Sequence, residues 1–395
     1  MLNFICDFIL LLVVCICSVK VCNGQNSTDL RNLLDTLFIN NNYNKNIRPK
    51  SDLTKQTHVS VDFYLCGIND LNEKNQKLTT TGYLEIVWID EHLIWDSKAY
   101  NGLSHFYISQ NDIWKPDIAL KNGLMKMTGF GDSFVNVDIY NNGQVWWYPF
   151  EVFETKCSIN IKYFPFDQQT CDVIFVAWMS SMENVNMTRK NNRIHLKYLE
   201  ENGVWRVIST AAFEDVYWTE SMVIFQMTLQ RTSNYYVMNL IAPIVLLGVL
   251  NVFTFVLPAH SGEKMSFAVT VFLSFTVFLT IISSELPKTS DSILGSYLMF
   301  QVAMGAFVVC ITAIELRLHH KKDAVSTKIL QLCRCRRKTT DCVTAFNDKS
   351  DIVAWKSDKI AWEDMVSKID FVLFWISLLV VIVVSVATFV ETPQV

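Results

Sequence analysis

The chain reads as an extracellular β-sandwich, mostly antiparallel with a short N-terminal helix, followed by a four-helix transmembrane bundle. Three observations predict it. Residues 236–257, 265–284, 293–314 and 371–390 are apolar runs of about 20 residues, each long enough to cross a bilayer as a helix. Residues 25–234 contain no such run and are polar and aromatic, with short alternating stretches between turn residues. Finally, Cys157 and Cys171 bracket thirteen residues centred on Phe164-Pro165-Phe166-Asp167. A bridge between them would need an oxidising compartment and would close a loop worth roughly 3 kcal/mol of chain entropy. The loop's apolar tip suggests that it rests on something apolar. On spacing alone, a secreted β-domain with one stabilising bridge fits as well.

Composition agrees. The 395 residues carry a net charge of −4 and are 51% hydrophobic, with a positive mean hydropathy. This excludes a disordered chain. Residues 1–24 read as a signal peptide, with an apolar core from Phe8 to Val19 and small residues Asn23-Gly24 at the cleavage point. The basic start is missing, which leaves a membrane anchor as the alternative. Residues 25–234 form the outer domain. Within it, 28–39 is predicted to be an amphipathic helix with Leu30, Leu33, Leu34 and Leu37 on one face. His58–Leu65 and Gly82–Trp88 alternate as strands, and Ile139–Trp147 is cut by Asn141-Asn142-Gly143, a hairpin signal. Asn26 and Asn186 head glycosylation sequons. Cys66 is expected to be a buried free thiol.

Residues 235–316 hold the first three spans, 317–369 a cytoplasmic loop, and 370–395 the fourth span with a short outer tail. Residues 317–368 carry twelve Lys/Arg against seven Asp/Glu, which places them in the cytosol and the 25–234 domain outside. Cys333, Cys335 and Cys342 then face a reducing compartment. The segment 352–369, with Trp355, Trp362, Met365, Val366 and Ile369, reads as an amphipathic helix; a solvated linker is the alternative.

The second span is the most informative. Ser266, Thr270, Leu273, Val277, Thr280 and Ser284 recur at helical spacing and share one face. Small hydroxyls with an apolar middle suit a water-filled pore that closes by dewetting at Leu273 and Val277. A packed helix with tolerated hydroxyls is the alternative. Glu263 would stand at the inner mouth and Glu285 near the outer one. No enzyme motif stands out: the seven histidines are scattered, and His319-His320 reads as a juxtamembrane flank. No cofactor, metal or nucleic-acid partner is expected.

The cysteine loop with Phe-Pro-Phe-Asp inside resembles the signature of the Cys-loop pentameric ligand-gated ion channels. Trp114-Lys-Pro-Asp117, Glu73-Lys-Asn-Gln76 followed by Leu78-Thr-Thr80, Trp88 with Trp95, and Ser261-Gly-Glu-Lys-Met265 resemble nicotinic acetylcholine receptor subunits, over nearly the whole mature chain. The resemblance implies a ring of five like or unlike subunits in the plasma membrane of a postsynaptic or sensory cell. It also implies a small-molecule agonist held in an aromatic box between neighbours, and a pore for sodium and potassium ions, with calcium left open. In that pattern Glu263 forms an acidic, cation-selecting ring, whereas Glu285 lies one position beyond the usual acidic site, where this chain has Ser284. Glu73 and Arg231 match a buried ion pair at the domain junction, where Phe164, Pro165 and Phe166 would meet Pro287.

Carried over residue by residue, Trp178 takes the place of the central box tryptophan. Lys121 stands where agonist-binding subunits have a tyrosine. The segment Phe213–Glu220 supplies Tyr217 and Trp218 but lacks the adjacent cysteines. On the complementary face Tyr83 takes a tryptophan's place, with Trp146 and Tyr148 nearby. A lysine pointing into the box at about 4 Å would repel an ammonium by roughly 4 kcal/mol at an effective dielectric of 20. The lost aromatic wall removes about 1–2 kcal/mol more. Acetylcholine therefore fits badly, and the remaining aromatic surface suits a hydrophobic or bulky ligand. The missing cysteines and short cytoplasmic loop resemble the cephalopod chemotactile receptors, which detect poorly soluble molecules by contact. Two alternatives stand beside that reading: a non-agonist-binding subunit of an acetylcholine-gated channel, and a non-channel adhesion or signalling receptor.

Overall fold

The computed structural model describes residues 26–259, 262–285, 292–320 and 362–390. The predicted signal peptide, Pro287, and Trp355 with most of the cytoplasmic loop lie outside the described residues, as does the side chain of Glu285. The chain divides into two compact units. One runs to Leu229, and the other takes Gln230 onward together with two inserted segments, Glu73–Asn75 and Ile159–Gln169.

The first unit opens with helix α1 (Ser27–Leu34), which widens into a π-helical turn over Asp35–Asn40 and buries Leu33 and Leu37. Eleven strands follow: β1 (Thr57–Asn72), β2 (Lys77–Ile94), β3 (His105–Ser109), β4 (Ile118–Leu120), β5 (Asn136–Tyr140), β6 (Asn142–Trp147), β7 (Phe150–Lys156), β8 (Gln168–Ala177), β9 (Val185–Thr188), β10 (Trp205–Tyr217) and β11 (Glu220–Arg231). They form a seven-stranded sheet in the order β3-β5-β6-β2-β1-β9, with β7 also on β2, and a four-stranded sheet in the order β10-β11-β8-β4. Nearly every recorded pairing is antiparallel; β1 with β9 is parallel. The strands expected at 58–65 and 82–88 are parts of longer ones, because backbone pairing continues beyond the alternating stretches: β1 stays on β2 to Asn72 through irregularities at Leu65/Gly67 and Ile68/Asp70, and β2 extends onto β6 and β7.

The two sheets meet through a cluster of buried rings. Phe63 of β1 lies 5.4 Å from Phe153 of β7 and 5.7 Å from Phe225 of β11, and Phe175 of β8 lies 5.4 Å from Phe153. Edge-to-face and tilted packing of this kind adds about 0.5–1.5 kcal/mol per pair beyond area burial. Gly82 is required here, since a β-carbon would overlap the carbonyl oxygen of Tyr64 on the neighbouring strand. The predicted hairpin at 139–147 forms, and Gly143 turns it with φ +82°.

Cys157 follows β7, Cys171 lies within β8, and the two are bonded with their Cα atoms 5.1 Å apart. Cys66 is unpaired as expected but only half-buried.

Among the described residues of the second unit, four helices are long and apolar enough to cross a membrane: α2 (Asn234–Val256), α3 (described from Lys264 to Glu285), α4 (Ile293–His319) and α5 (Trp362–Val390). Their contact core joins Phe255, Ala268 and Val308, with Leu373 and Phe374 packed against it. Gly305 lets α4 approach α3 closely, with its missing β-carbon only 3.2 Å from the Phe272 ring.

Candidate functional site

Three regions hold the residues singled out by sequence. The first is a pair of aromatic surfaces, one on each sheet, of which the four-stranded sheet carries Trp178. Trp178 directly follows β8. Its backbone N–H donates to the Asp117 carbonyl oxygen at 3.0 Å. The Asp117 carboxylate accepts from the Met179 N–H at 2.6 Å and from the Ser180 hydroxyl at 2.9 Å. The last residue of the Trp-Lys-Pro-Asp motif therefore holds the Trp178 turn, a role sequence reasoning missed. The indole itself is 45% exposed.

Phe213–Glu220 is a β-hairpin rather than an open loop. β10 runs to Tyr217 and β11 starts at Glu220, so only Trp218 and Thr219 turn. Trp218 takes the left-handed conformation (φ +60°) and is 87% exposed. The Met182 N–H donates to the Thr219 carbonyl oxygen at 2.6 Å, tying this turn to the segment after Trp178.

Lys121 lies beside the same hairpin. Its Nζ is 3.9 Å from the Tyr217 ring centre, 3.5 Å from Glu220 Oε2 and 3.1 Å from Met222 Sδ. The lysine points inward, as the repulsion argument assumed, but it is not an isolated charge. Glu220 offsets much of its field, so the 4 kcal/mol figure overstates the repulsion. The physical obstacle to an ammonium is that a cation, the lysine's own, already occupies the ring.

A second aromatic cluster lies on the seven-stranded sheet. Tyr83 stacks on Tyr64 at 4.7 Å, Tyr64 on the His195 ring at 4.1 Å, and Tyr83 meets Tyr148 edge-on at 6.3 Å. Trp146 stacks on Tyr148 at 6.2 Å, with Lys190 Nζ 5.5 Å from its ring. Burial, with the Glu85 carboxylate adding to it, pushes the Tyr64 phenol up to about 12. Tyr83 and Tyr148 are raised for the same leading reason. Among the described residues no ring contact joins this cluster to Trp178, Tyr217 or Trp218. The predicted binding residues thus form two faces of one chain, not one pocket.

The second region is the outward stripe of α3. Ser266, Thr270, Leu273, Val277, Thr280 and Ser284 are all exposed, while Ala268, Val271, Phe275 and Ile282 are buried. Leu273 and Val277 are 55% and 56% exposed despite being apolar. The hydroxyls of Thr270, Thr280 and Ser284 donate back to carbonyls of their own helix at 2.7–2.8 Å, which leaves their lone pairs outward. Lys264, fully buried, fixes the rotation: its ammonium meets Glu315 of α4 at 2.8 Å and Asp370 of α5 at 2.5 Å. With Lys264 turned inward, its neighbour Glu263 is left exposed just before the helix, where its carbonyl accepts from the Phe267 N–H at 2.9 Å. The clue to this anchor was a lysine at the head of an apolar run.

The third region gathers around Arg231. Its Nη1 lies 2.6 Å from Glu73 Oε1, and its Nε 2.8 Å from Asp167 Oδ1. Sequence reasoning named Glu73 as the partner and missed Asp167, the more buried of the two acids. Burial opposes the charge on Arg231, but the Asp167 and Glu73 carboxylates outweigh it and raise its pKa. Phe164 is buried, with its ring 5.1 Å from Tyr236 and 4.9 Å from the Arg231 guanidinium carbon. Pro165 is buried and Phe166 half-buried. The loop tip therefore packs on a guanidinium as well as on apolar groups.

Asn186 lies half-buried in β9, its side-chain oxygen accepting from Ser221 at 3.2 Å, whereas Asn26 is exposed ahead of α1.

Residues 30–233 match the family model described as the neurotransmitter-gated ion-channel ligand binding domain. The chain belongs to the neurotransmitter-gated ion-channel family. Residues 240–352 of this nicotinic-like chain match the family's transmembrane region as well. It is similar to acetylcholine receptor subunit beta-like 1 of Drosophila melanogaster, 34% identical over 302 residues covering 73% of this chain and 57% of the relative. It is similar to neuronal acetylcholine receptor subunit beta-4 of Bos taurus, 30% identical over 337 residues, 83% of this chain and 66% of that one. It is also similar to acetylcholine receptor subunit alpha-like 2 of Drosophila melanogaster, 33% identical over 321 residues, with 76% and 55% covered. The chain thus spans little more than half to two thirds of these relatives' length. Alpha-like and beta-like relatives match almost equally, so similarity does not sort the chain between them. The family is one of multi-pass plasma-membrane channels with an extracellular ligand-binding domain, and not of enzymes.

Proposed function

We propose that this chain is a subunit of a pentameric, ligand-gated cation channel that serves as a chemosensory receptor for hydrophobic or bulky ligands. The observation that carries the channel reading is the α3 stripe. Six residues at pore spacing stay exposed, two of them aliphatic, while most of the helix packs or is half-covered; off the stripe only Ile281 and Ser283, near the outer end, are exposed among the described side chains of α3. Five copies would line a water path with hydroxyls and close it at rings of Leu273 and Val277. A ring of Glu263 would favour sodium, potassium and other cations at the cytoplasmic mouth.

The ligand would lie between the Trp178 face of one subunit and the Tyr83, Trp146 and Tyr148 face of its neighbour. Its class follows from Lys121, which puts a positive charge on a face otherwise rich in exposed aromatic surface. Binding would draw the 205–231 hairpin toward the neighbour, and Arg231, at the end of β11, would carry that shift to Phe164 and α2. A ligand opens the pore only as far as it binds the open state better than the closed one.

A second reading is a non-agonist-binding subunit of an acetylcholine-gated heteromer. It is favoured by the cluster around Tyr83, which keeps an aromatic residue in the tryptophan's place and packs it with Tyr64 and Tyr148, while the Trp178 face lacks both the tyrosine and the adjacent cysteines. The test is to express the chain alone and record during application of acetylcholine, then of a panel of hydrophobic natural products. Currents from the panel and none from acetylcholine are expected. A robust acetylcholine current would contradict the ligand class, and current only on co-expression with an acetylcholine-binding subunit would favour the second reading.

A further inference from the structure

On the Trp178 face Lys121 places its ammonium against the Tyr217 ring, closer than Lys190 lies to Trp146 on the other face, and its surroundings are built to keep it there. Its backbone is set by β4 and β8, with the Lys121 N–H donating to the Ile174 carbonyl oxygen at 2.8 Å. Its ammonium also reaches the sulfur of Met222 at 3.1 Å, and Met222 is buried with Ala119 and Val176. Its head meets two residues that flank the hairpin turn: the Tyr217 ring at 3.9 Å and Glu220 at 3.5 Å. A ring face, a carboxylate and a soft sulfur around one ammonium are what a free alkylammonium would seek.

We propose that Lys121 is a tethered cation occupying the ammonium subsite of this face, and that its charge is the switch that turns the receptor away from small quaternary ammonium ligands. The inference rests on the reading that this face binds ligand. Two cations cannot share the ring: at about 4 Å their repulsion is of the order of the attraction that either gains from the ring and Glu220. An uncharged ligand loses nothing to Lys121 and still finds the Trp178 and Trp218 surfaces. Removing the charge leaves Glu220 without its lysine beside the Tyr217 face, which makes a latent site for a small quaternary ammonium.

The experiment uses the purified full-length chain in lipid nanodiscs, with tetramethylammonium as the probe and sodium chloride at matched ionic strength as the blank. The thermal midpoint is followed as a function of probe concentration. Wild type and Lys121→Arg should show no ammonium-specific stabilisation. Lys121→Met should show a saturable one, with an apparent Kd about tenfold or more below the highest probe concentration at which wild type shows none, and it should vanish in Lys121→Met combined with Glu220→Gln. Lys121→Gln gives the same comparison should the Met variant fold poorly. An unchanged response in both neutral variants, an equal gain in Lys121→Arg, or a gain that survives Tyr217→Ala would overturn the proposal. The two readings fail separately. Ammonium gain in a chain that gives no current to the hydrophobic panel supports the Lys121 assignment and removes the ligand class. Panel currents without ammonium gain do the reverse.

Discussion

Arg231 and Asp167 face each other as a fork on a carboxylate: Nε donates to Oδ1 at 2.8 Å and Nη2 to Oδ2 at 3.2 Å. Both side chains are almost wholly buried, at 1% and 2% exposure. Arg231 shares the inward parity of Val223, Phe225, Met227 and Leu229 on β11, so the strand itself carries a guanidinium inside. Asp167 is positioned in turn by Gln169, whose Nε2 donates to it at 2.5 Å and to the Asn160 carbonyl oxygen at 2.8 Å.

Asp167 should therefore matter more than Glu73. Asp167→Asn leaves a buried charge half-compensated and is expected to cost about 3–5 kcal/mol. Glu73→Gln, at a partly exposed acid, should cost about 1 kcal/mol. Arg231→Lys loses the fork and should resemble Asp167→Asn. Exchanging Glu73 and Arg231 should restore nothing, because the new glutamate would face Asp167. Thermal midpoints of the purified variants, with surface expression alongside, check the ranking; equal effects at both acids would contradict it.

Cysteine substitution along α3 should divide sharply. Ser266→Cys, Thr270→Cys and Thr280→Cys should react with a water-soluble thiol reagent and reduce current, while Ala268→Cys and Phe275→Cys should not. Leu273→Thr should wet the closed gate and produce a standing current without ligand. Block of that current by a pore-plugging cation is the measurement. A quiet Leu273→Thr channel, expressed at the surface, would place the gate elsewhere.

How legible these features were depended on what each residue touches. The α3 stripe was read from spacing alone because a helix facing water must repeat its pattern, and the buried set opposite it follows from the same period. The hairpin at 139–147 was legible because Gly143 announces a positive φ. Asp167 and Asp117 were not, although both stand inside motifs that were noticed. Their partners, Arg231 and the Met179 and Ser180 groups, are distant in sequence, and no local period encodes them. Lys121 was seen as a departure, but only its distances to Tyr217 and Glu220 distinguish a repelling charge from a satisfied one.

Trp218 holds a left-handed backbone that bulky residues rarely adopt. Trp218→Gly should relieve about 1 kcal/mol of strain, offset in part by the freer unfolded chain. Its thermal midpoint should stay level or rise, while Trp218→Val, β-branched at the same φ, should lower it. If the exposed indole forms part of the ligand face, Trp218→Gly should also weaken responses to the hydrophobic panel. A stability loss in the glycine variant as large as in the valine variant would contradict the strain argument.

Glu91 is held down at about 2, chiefly by hydrogen bonds from the Lys50 ammonium and the Ser51 N–H. A depressed carboxylate stabilises the fold above its unfolded pKa, near 4.3, and loses that contribution as pH falls through about 2. Lys50→Met should therefore narrow the stability difference between neutral and acid pH, with no change in the sign of the slope. The group is partly exposed and the effect small. Thermal midpoints of wild type and variant between pH 7 and pH 2 measure it, and identical profiles would contradict the assignment.

Cation conduction through the α3 stripe is the central claim, and the reversal potential of the expressed channel tests it most directly. In cells expressing Leu273→Thr, the standing current is recorded while external sodium chloride is replaced isosmotically by sucrose. A cation pore guarded by Glu263 predicts a shift of the reversal potential to more negative voltages, reduced in Leu273→Thr combined with Glu263→Gln. A shift to more positive voltages would mean that chloride carries the current, and would contradict the account.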